Sequence, residues 1–153
     1  MSEQTYLEMT SVIQLHPSQS SQSVVLAPIR GQVVRQLTMA VGRDFGWPSQ
    51  RWNDREWDDY LAVPPMKHWM GMVESKPIGI LSLNLVQAPE VELDAFGLLP
   101  DQIGHGLGGP FLTEAVRLAW AQPAGRIWLH TSSDDHPHAL PNYLARGFTR
   151  YQP

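Results

Sequence analysis

A run of closely spaced glycines between a hydrophobic segment and an amphipathic segment constrains this chain more than any other feature. The hydrophobic segment ends at Leu98-Leu99, the chain turns at Pro100, and Ile103-Gly104-His105-Gly106-Leu107-Gly108-Gly109 follows. Glycines allow a tight turn that brings the backbone close to a ligand. The helix predicted behind them directs free N–H groups and the positive end of its dipole at the same place. We therefore expect main-chain atoms of this turn to bind a phosphate or pyrophosphate.

Composition limits the class of protein and its partners. The 153 residues are enough to bury a core as one domain, residues 1–153. The absence of cysteine excludes disulfides, thiolate metal sites and a cysteine nucleophile, and it fits a reducing cytoplasm. A net charge of −4 argues against a nucleic-acid partner and favours a cationic or amine-bearing substrate. Neither a signal peptide nor a membrane span is expected, because Glu3 and Glu8 stand near the start and no apolar run approaches ~18 residues.

Hydrophobic periodicity predicts an α/β domain with a mixed sheet. Alternation predicts strands at about 5–15, 68–74, 78–86, 91–99, 126–131 and 148–151, with a hairpin turn at 75–77 and a loop at 16–23. Helical spacing predicts helices over about 28–42, from an Asn53 cap to Leu61, behind the glycine turn, and over 137–146. Pro64-Pro65 should end the second helix, Asp135 should cap the last one, and Gly147 should end it in a left-handed conformation. The order is β-α-α-β-β-β-α-β-α-β.

Two segments resemble the GCN5-related N-acetyltransferase (GNAT) superfamily. Its acetyl-CoA signature is Arg or Gln, two residues, Gly, one residue, and Gly or Ala; Gly106 and Gly108 match the glycines, and Ile103 stands where Arg or Gln is usual. The second segment, 135–148, is similar to the family's C-terminal signature, in which a helix carries a tyrosine and ends in Gly-Phe. The resemblance implies a mostly antiparallel sheet of six to seven strands flanked by about four helices.

The resemblance also implies an acetyl-CoA-dependent N-acetyltransferase that acts by direct attack of an amine, with acetyl-CoA as cosubstrate and no metal. The acceptor would be an amine-bearing small molecule or peptide. The pyrophosphate would be bound by the main-chain amides of Ile103, Gly104, His105, Gly106, Leu107 and Gly108. The pantetheine would lie along Phe96, Gly97 and Leu98. Asn142 would bond to the cofactor chain. A main-chain donor near Leu98 would stabilise the charge that develops on the thioester oxygen.

Acyl transfer to an amine also needs a base and an acid, since alkyl amines titrate near pH ~10. The resemblance places the base at about Glu92, and Asp94 lies on the same face because side chains two apart in a strand point the same way. Two carboxylates on one face raise each other's pKa. Tyr143 coincides with the family's tyrosine that protonates the thiolate. The alternatives are solvated or salt-bridged strand carboxylates and a tyrosine that only packs in the core.

Three further interpretations remain open from the sequence. Aromatic residues interleaved with acids in the first half predict either a cation-binding wall or an ordinary cover for the sheet; they are Trp47, Trp52, Trp57, Tyr60 and Trp69. Gly104-His105-Gly106-Leu107-Gly108-Gly109 also fits the G-x-G-x-x-G of a dinucleotide-binding unit. A domain that binds acyl-CoA without catalysis is the third.

A short last strand near Pro153 leaves a sheet edge at which a second copy could form a homodimer.

Overall fold

The computed structural model describes residues 2–62 and 65–153, and its backbone forms one seven-stranded mixed sheet. The strands are β1 Gln4–Met9, β2 Val25–Ile29, β3 Met66–Val73, β4 Lys76–Asn84, β5 Glu90–Leu98, β6 Arg126–Ser132 and β7 Thr149–Arg150. Their order in the sheet is β2-β3-β4-β5-β6-β1-β7. Among these strands every pair is antiparallel except β5 with β6. The expected mixed, mostly antiparallel sheet is therefore confirmed.

In the described part of the chain, four α-helices cover the sheet, and they lie on both of its faces. They are α1 Gln32–Gly42, α2 Asp54–Ala62, α3 Gly108–Ala121 and α4 Ala139–Ala145. Ile80 packs with the buried residues of α1, whereas Leu81 packs with those of α3. Successive strand residues point to opposite faces, so α1 and α3 sit on opposite sides of β4. Among the described residues, no helix has the length and hydropathy needed to cross a bilayer.

The first fifth of the chain differs from the prediction at two points. β1 ends at Met9, and a short 3₁₀ turn over Val12–Gln14 follows. The strand predicted over about 5–15 is therefore too long, and the side chain of Ile13, which lies beyond its end, is 87% exposed. The predicted helix over 28–42 begins only at Gln32, because Val25–Ile29 forms β2. β2 is an edge strand, where Pro28 is tolerated because a missing N–H can face away from the sheet.

Local capping chemistry explains the other boundaries. Asn53 caps α2 as predicted: its Oδ1 accepts from the Glu56 amide at 2.8 Å, and Glu56 Oε1 accepts from the Asn53 amide at 3.2 Å. Pro64, predicted to end this helix, lies outside the described residues. Gly147 follows α4 with φ +107°, which confirms the left-handed ending.

Two predicted details are shifted. Glu74 and Ser75 both have positive φ and form the hairpin turn, so Lys76 already belongs to β4. α4 begins at Ala139, and Asp135 does not cap it. Asp135 accepts instead from the Ser132 amide at 2.9 Å and the Thr131 hydroxyl at 2.6 Å.

A divergence of β5 from β6 opens the sheet where the glycine turn begins. The two strands pair only over Glu90–Glu92 and Arg126–Trp128. β5 continues to Leu98 without a paired neighbour on that side. The β4–β5 register also shifts: Ser82 pairs with Ala95 and Leu83 with Leu93, which leaves Asp94 as a bulge. Bulges re-aim side chains, so this break sets the direction of Asp94.

Candidate active site

The glycine turn presents unbonded amides at the start of α3. Gly104 and Gly106 have φ of +84° and +73°, a region in which side chains with a Cβ are strained. In the part of the chain that the structure describes, the amides of 104–109 donate to no backbone carbonyl, whereas the Ile103 amide reaches Pro100 O at 3.4 Å. Since α3 also has no side-chain cap at Leu107, its N-terminus is free to receive an anion.

A cavity of about 370 Å³ lies against this turn and the free side of β5. Nine of the ten cofactor residues predicted from the sequence line it: Phe96, Gly97, Leu98, Ile103, Gly104, Gly106, Leu107, Gly108 and Asn142. The tenth, His105, is exposed and lies outside the lining. The structure thus gathers residues from β5, the glycine turn and α4 around one space.

Gly97 illustrates how closely this region is packed. A Cβ on Gly97 would lie 2.7 Å from Val41 Cγ1 of α1, inside van der Waals contact. The unpaired edge of β5 next to it leaves main-chain groups available to an extended ligand, in the way that one strand adds to another.

Helix α4 contributes two of the predicted residues. The Asn142 Nδ2 group donates to Gly108 O at 3.0 Å and so ties α4 to the first turn of α3. Tyr143 is buried against Phe96 and Phe148, with ring centroids 6.2 and 6.0 Å away. Burial, with a smaller contribution from Asp135, raises the pKa of Tyr143 above its ordinary value of 10. The phenol therefore stays protonated and can act as a proton donor at neutral pH.

A second cavity, of about 690 Å³, adjoins the first. The residues that line both are Phe45, Trp47, Phe96, Asp135 and Tyr143. From the predicted aromatic wall, Trp47, Trp52 and Tyr60 line the second cavity, while Trp57 and Trp69 are buried in the fold. The cover interpretation is confirmed for Trp57 and Trp69, and the cation-binding interpretation stays a prediction for the three residues that line the cavity. Tyr143 stands where the two cavities meet.

The two predicted carboxylates lie on β5 in different environments. Glu92 has a side chain 14% exposed, and its Oε2 lies 3.9 Å from His130 Nε2. Burial, and to a lesser extent the charge of Asp94, raises the pKa of Glu92 to about 7. Asp94 lines the second cavity, and its Oδ2 accepts from the Tyr60 hydroxyl at 2.8 Å. Burial raises the pKa of Asp94, while Tyr60 and His130 act in the opposite direction.

A buried histidine, His68, packs beside Tyr60, the residue that donates a hydrogen bond to Asp94. His68 is 7% exposed, its Nδ1 lies 2.7 Å from Ser82 Oγ, and its ring packs against Tyr60 at 5.4 Å. Burial lowers the pKa of His68 to about 4, so the ring is neutral at pH 7. The same burial, with the charge of Asp94, raises the pKa of Tyr60 and keeps its hydroxyl a donor to Asp94.

Sequence reasoning missed Asp135, which lines both cavities, and Arg146, which lies beside the first one. Asp135 Oδ1 accepts from Trp47 Nε1 at 3.2 Å, which fixes the indole between the two cavities. Arg146 Nη1 lies 2.8 Å from the position of a Cβ on Gly109, next to the start of α3, and its buried Nε has no hydrogen-bond partner among the described residues. The one sequence signal for Arg146 is its position just before Gly147-Phe148, at the end of the helix α4 that packs beside the glycine turn.

The alternative of a dinucleotide-binding unit is wrong for this fold. A doubly wound domain needs a mostly parallel sheet, whereas β5–β6 is the single parallel pair among the described strands. Within residues 2–62 and 65–153, no group of three or more His, Asp or Glu side chains is placed to hold a metal ion.

The sequence itself identifies the family. The model of the acetyltransferase (GNAT) family matches residues 34–148, a range that runs from within α1 to Phe148. The chain therefore belongs to the GNAT family. No curated protein matches the sequence significantly.

Solved structures confirm the fold at low sequence identity. A conserved protein of unknown function from Staphylococcus epidermidis has 16% identity and a TM-score of 0.69, over 97% of this chain and 57% of that chain. A GCN5-related N-acetyltransferase from Kribbella flavida has 16% identity and a TM-score of 0.64, over 95% and 53%. A Bacillus subtilis acetyltransferase in complex with CoA has 16% identity and a TM-score of 0.62, over 84% and 77%. The chain spans little more than half the length of the first two.

Proposed function

We propose that this protein transfers the acetyl group of acetyl-CoA to an amine by direct attack. The observation that carries the proposal is the meeting of two cavities at Tyr143, one lined by the glycine turn and the other by carboxylate and aromatic side chains. Such an arrangement would bring a thioester and an amine together beside Tyr143. Membership of the GNAT family supports the use of a CoA thioester.

The first cavity is proposed to hold the cosubstrate. The unbonded amides from Gly104 to Gly108 would bind the pyrophosphate, with the dipole of α3 behind them. Arg146 brings a positive charge beside Gly109, which offsets the lack of a cation at Ile103. The pantetheine would lie along Phe96, Gly97 and Leu98 on the unpaired side of β5.

The chemistry then needs one proton acceptor and one donor. The amine nitrogen attacks the carbonyl carbon, a main-chain N–H near Leu98 stabilises the oxyanion, and the C–S bond breaks. Glu92, with its pKa at about 7, takes the amine proton through water, because it does not itself line the second cavity. Tyr143 gives its proton to the departing thiolate and regains one from solvent. The products are an N-acetyl amine and the free CoA thiol.

Calorimetry and thiol detection on the full chain test this proposal separately. We expect heat on titration with acetyl-CoA and with CoA, no heat with NADH, and thiol release above hydrolysis for part of an amine panel. Absence of heat with both CoA species would overturn the cosubstrate site. Heat without thiol release from any amine would instead identify an acyl-CoA-binding module.

A further inference from the structure

We propose that the acceptor is a dibasic amine, which carries a second positive charge a short aliphatic spacer away from the attacking nitrogen. The proposal rests on the acyl transfer proposed above and concerns the second cavity. That cavity is lined by three carboxylates, Asp94, Asp134 and Asp135, and by no lysine or arginine of the described chain. A space of this charge favours cations and disfavours acids.

The three carboxylates are not equivalent. The carboxylate of Asp135 already accepts three hydrogen bonds within the protein, from the Trp47 indole, the Thr131 hydroxyl and the Ser132 amide. Asp94 receives one hydrogen bond, from Tyr60, on Oδ2 alone. Asp134 forms no ion pair with any residue the structure describes. Two carboxylates therefore face the cavity with accepting capacity left for a ligand.

These two carboxylates stand on separate walls. Asp94 projects from the bulge of β5, and Asp134 follows the end of β6, beyond the point at which the strands stop pairing. A single ammonium group at Asp94 leaves Asp134, an exposed carboxylate on the other wall of the cavity, without a partner from the ligand. A molecule with two separated cations compensates both, with the nitrogen near β5 placed for attack.

Two further features of the lining fit such a ligand. Trp52 and Tyr60 pack together at 5.0 Å, and aromatic faces attract ammonium groups. Thr38 lines the same cavity, is 3% exposed, and its Oγ1 has no hydrogen-bond partner among the described residues. Buried hydroxyls are normally paired, so this one is available to a polar group of the ligand.

Acceptor binding is tested without turnover on the full chain saturated with free CoA. Trp47 and Trp52 line the cavity, so tryptophan fluorescence reports occupancy. The probes are diaminobutane, aminobutanol and aminobutanoate, each with its groups at the two ends of the same chain. We expect the diamine to bind about tenfold more tightly than the amino alcohol, the value of one charged hydrogen bond, and the amino acid to bind most weakly.

A variant pair assigns the preference to one carboxylate. Asp134→Asn should reduce the ratio of diamine to amino-alcohol affinity to about one. Asp59→Asn removes the same charge from the exposed face of α2 and should leave the ratio unchanged. Equal binding of the three probes, or tighter binding of the amino acid, would overturn the dibasic acceptor. Selective diamine binding without thiol release would show that the second cavity binds a diamine, but it would refute the transfer proposal and with it the role of the diamine as acceptor.

Discussion

Of the two residues predicted to be catalytic, Glu92 and Tyr143, only Tyr143 is in the lining described for both cavities. It lines each of them, and its burial keeps the hydroxyl protonated. Tyr143→Phe keeps the ring and its packing against Phe148 and removes only the donor. We expect the turnover number to fall about 100-fold, the lower end for loss of a general acid, with the Kd for acetyl-CoA changed less than about twofold.

Thiol-release kinetics and calorimetry check this prediction, and Tyr151→Phe is the matched control. Tyr151 packs on Arg126 at 4.7 Å and lines neither cavity, so its variant should keep the wild-type rate. Equal activity of the Tyr143→Phe and wild-type proteins would remove this residue from the mechanism.

Glu92 gives the reaction its expected pH dependence. A base must be deprotonated to act, and the pKa of Glu92 is about 7, so kcat/KM should rise with pH through about 7. Glu92→Gln should lower the rate about 100-fold and abolish this limb, leaving only the rise due to the acceptor amine near ~10. A pH–rate profile of both proteins with the same amine measures it. An unchanged limb in Glu92→Gln would exclude Glu92 as the base, and Asp94 would be the next carboxylate to test.

At the scale of elements, the glycine turn and α3 act as one unit whose backbone shape matters more than its side chains. A Cβ on Gly106 would meet nothing within 4 Å, so Gly106→Ala tests backbone conformation alone at φ +73°. We expect the free energy of unfolding to fall by about 1 kcal/mol and the Kd for CoA to rise about fivefold or more. Gly108→Ala is the control, since its φ is ordinary and alanine favours a helix.

Urea unfolding and calorimetry separate the two variants. The control should unfold at the wild-type urea concentration or above it, because a Cβ there lies 3.4 Å from Asn142 Nδ2, an ordinary contact. A Gly106→Ala protein as stable as wild type and binding CoA equally would show that the turn tolerates another conformation.

The elements that sequence predicted well are those whose own residues decide them. Periodicity predicted α3 and the hairpin of β3 and β4, and the Asn53 cap placed the start of α2. β2 was missed because an edge strand of five residues containing Pro28 has no local signal of its own. The bulge at Asp94 likewise depends on pairing with β4, a long-range property.

At the scale of the whole molecule, the two cavities also differ in how far local sequence, rather than long-range contacts, decides which residues line them. The proposed cosubstrate cavity was partly predictable because eight of its lining residues belong to one stretch of sequence, Phe96 to Gly108, and Asn142 comes from a single helix. The proposed acceptor cavity combines α1, α2, β5 and the segment after β6, including Thr38, Tyr60 and Asp134. Only the fold brings these residues together, so composition could indicate a cationic acceptor without showing which carboxylates face it.

Stability of the whole molecule should also depend on the carboxyl group of Glu92. Its pKa rises from 4.5 to about 7 on folding, so its contribution to stability is fully present below pH 4.5 and is lost as pH rises through 7. Glu92→Gln, which stays neutral, should match wild type near pH 4.5 and exceed its unfolding free energy near pH ~8 by on the order of 1–3 kcal/mol. Urea denaturation at both pH values measures the difference. Glu3→Gln, exposed at the start of the chain, should show no such trend. A Glu92→Gln protein that is less stable than wild type at the higher pH would mean that the ionised carboxylate is stabilised by its surroundings, with His130 at 3.9 Å as the partner to examine.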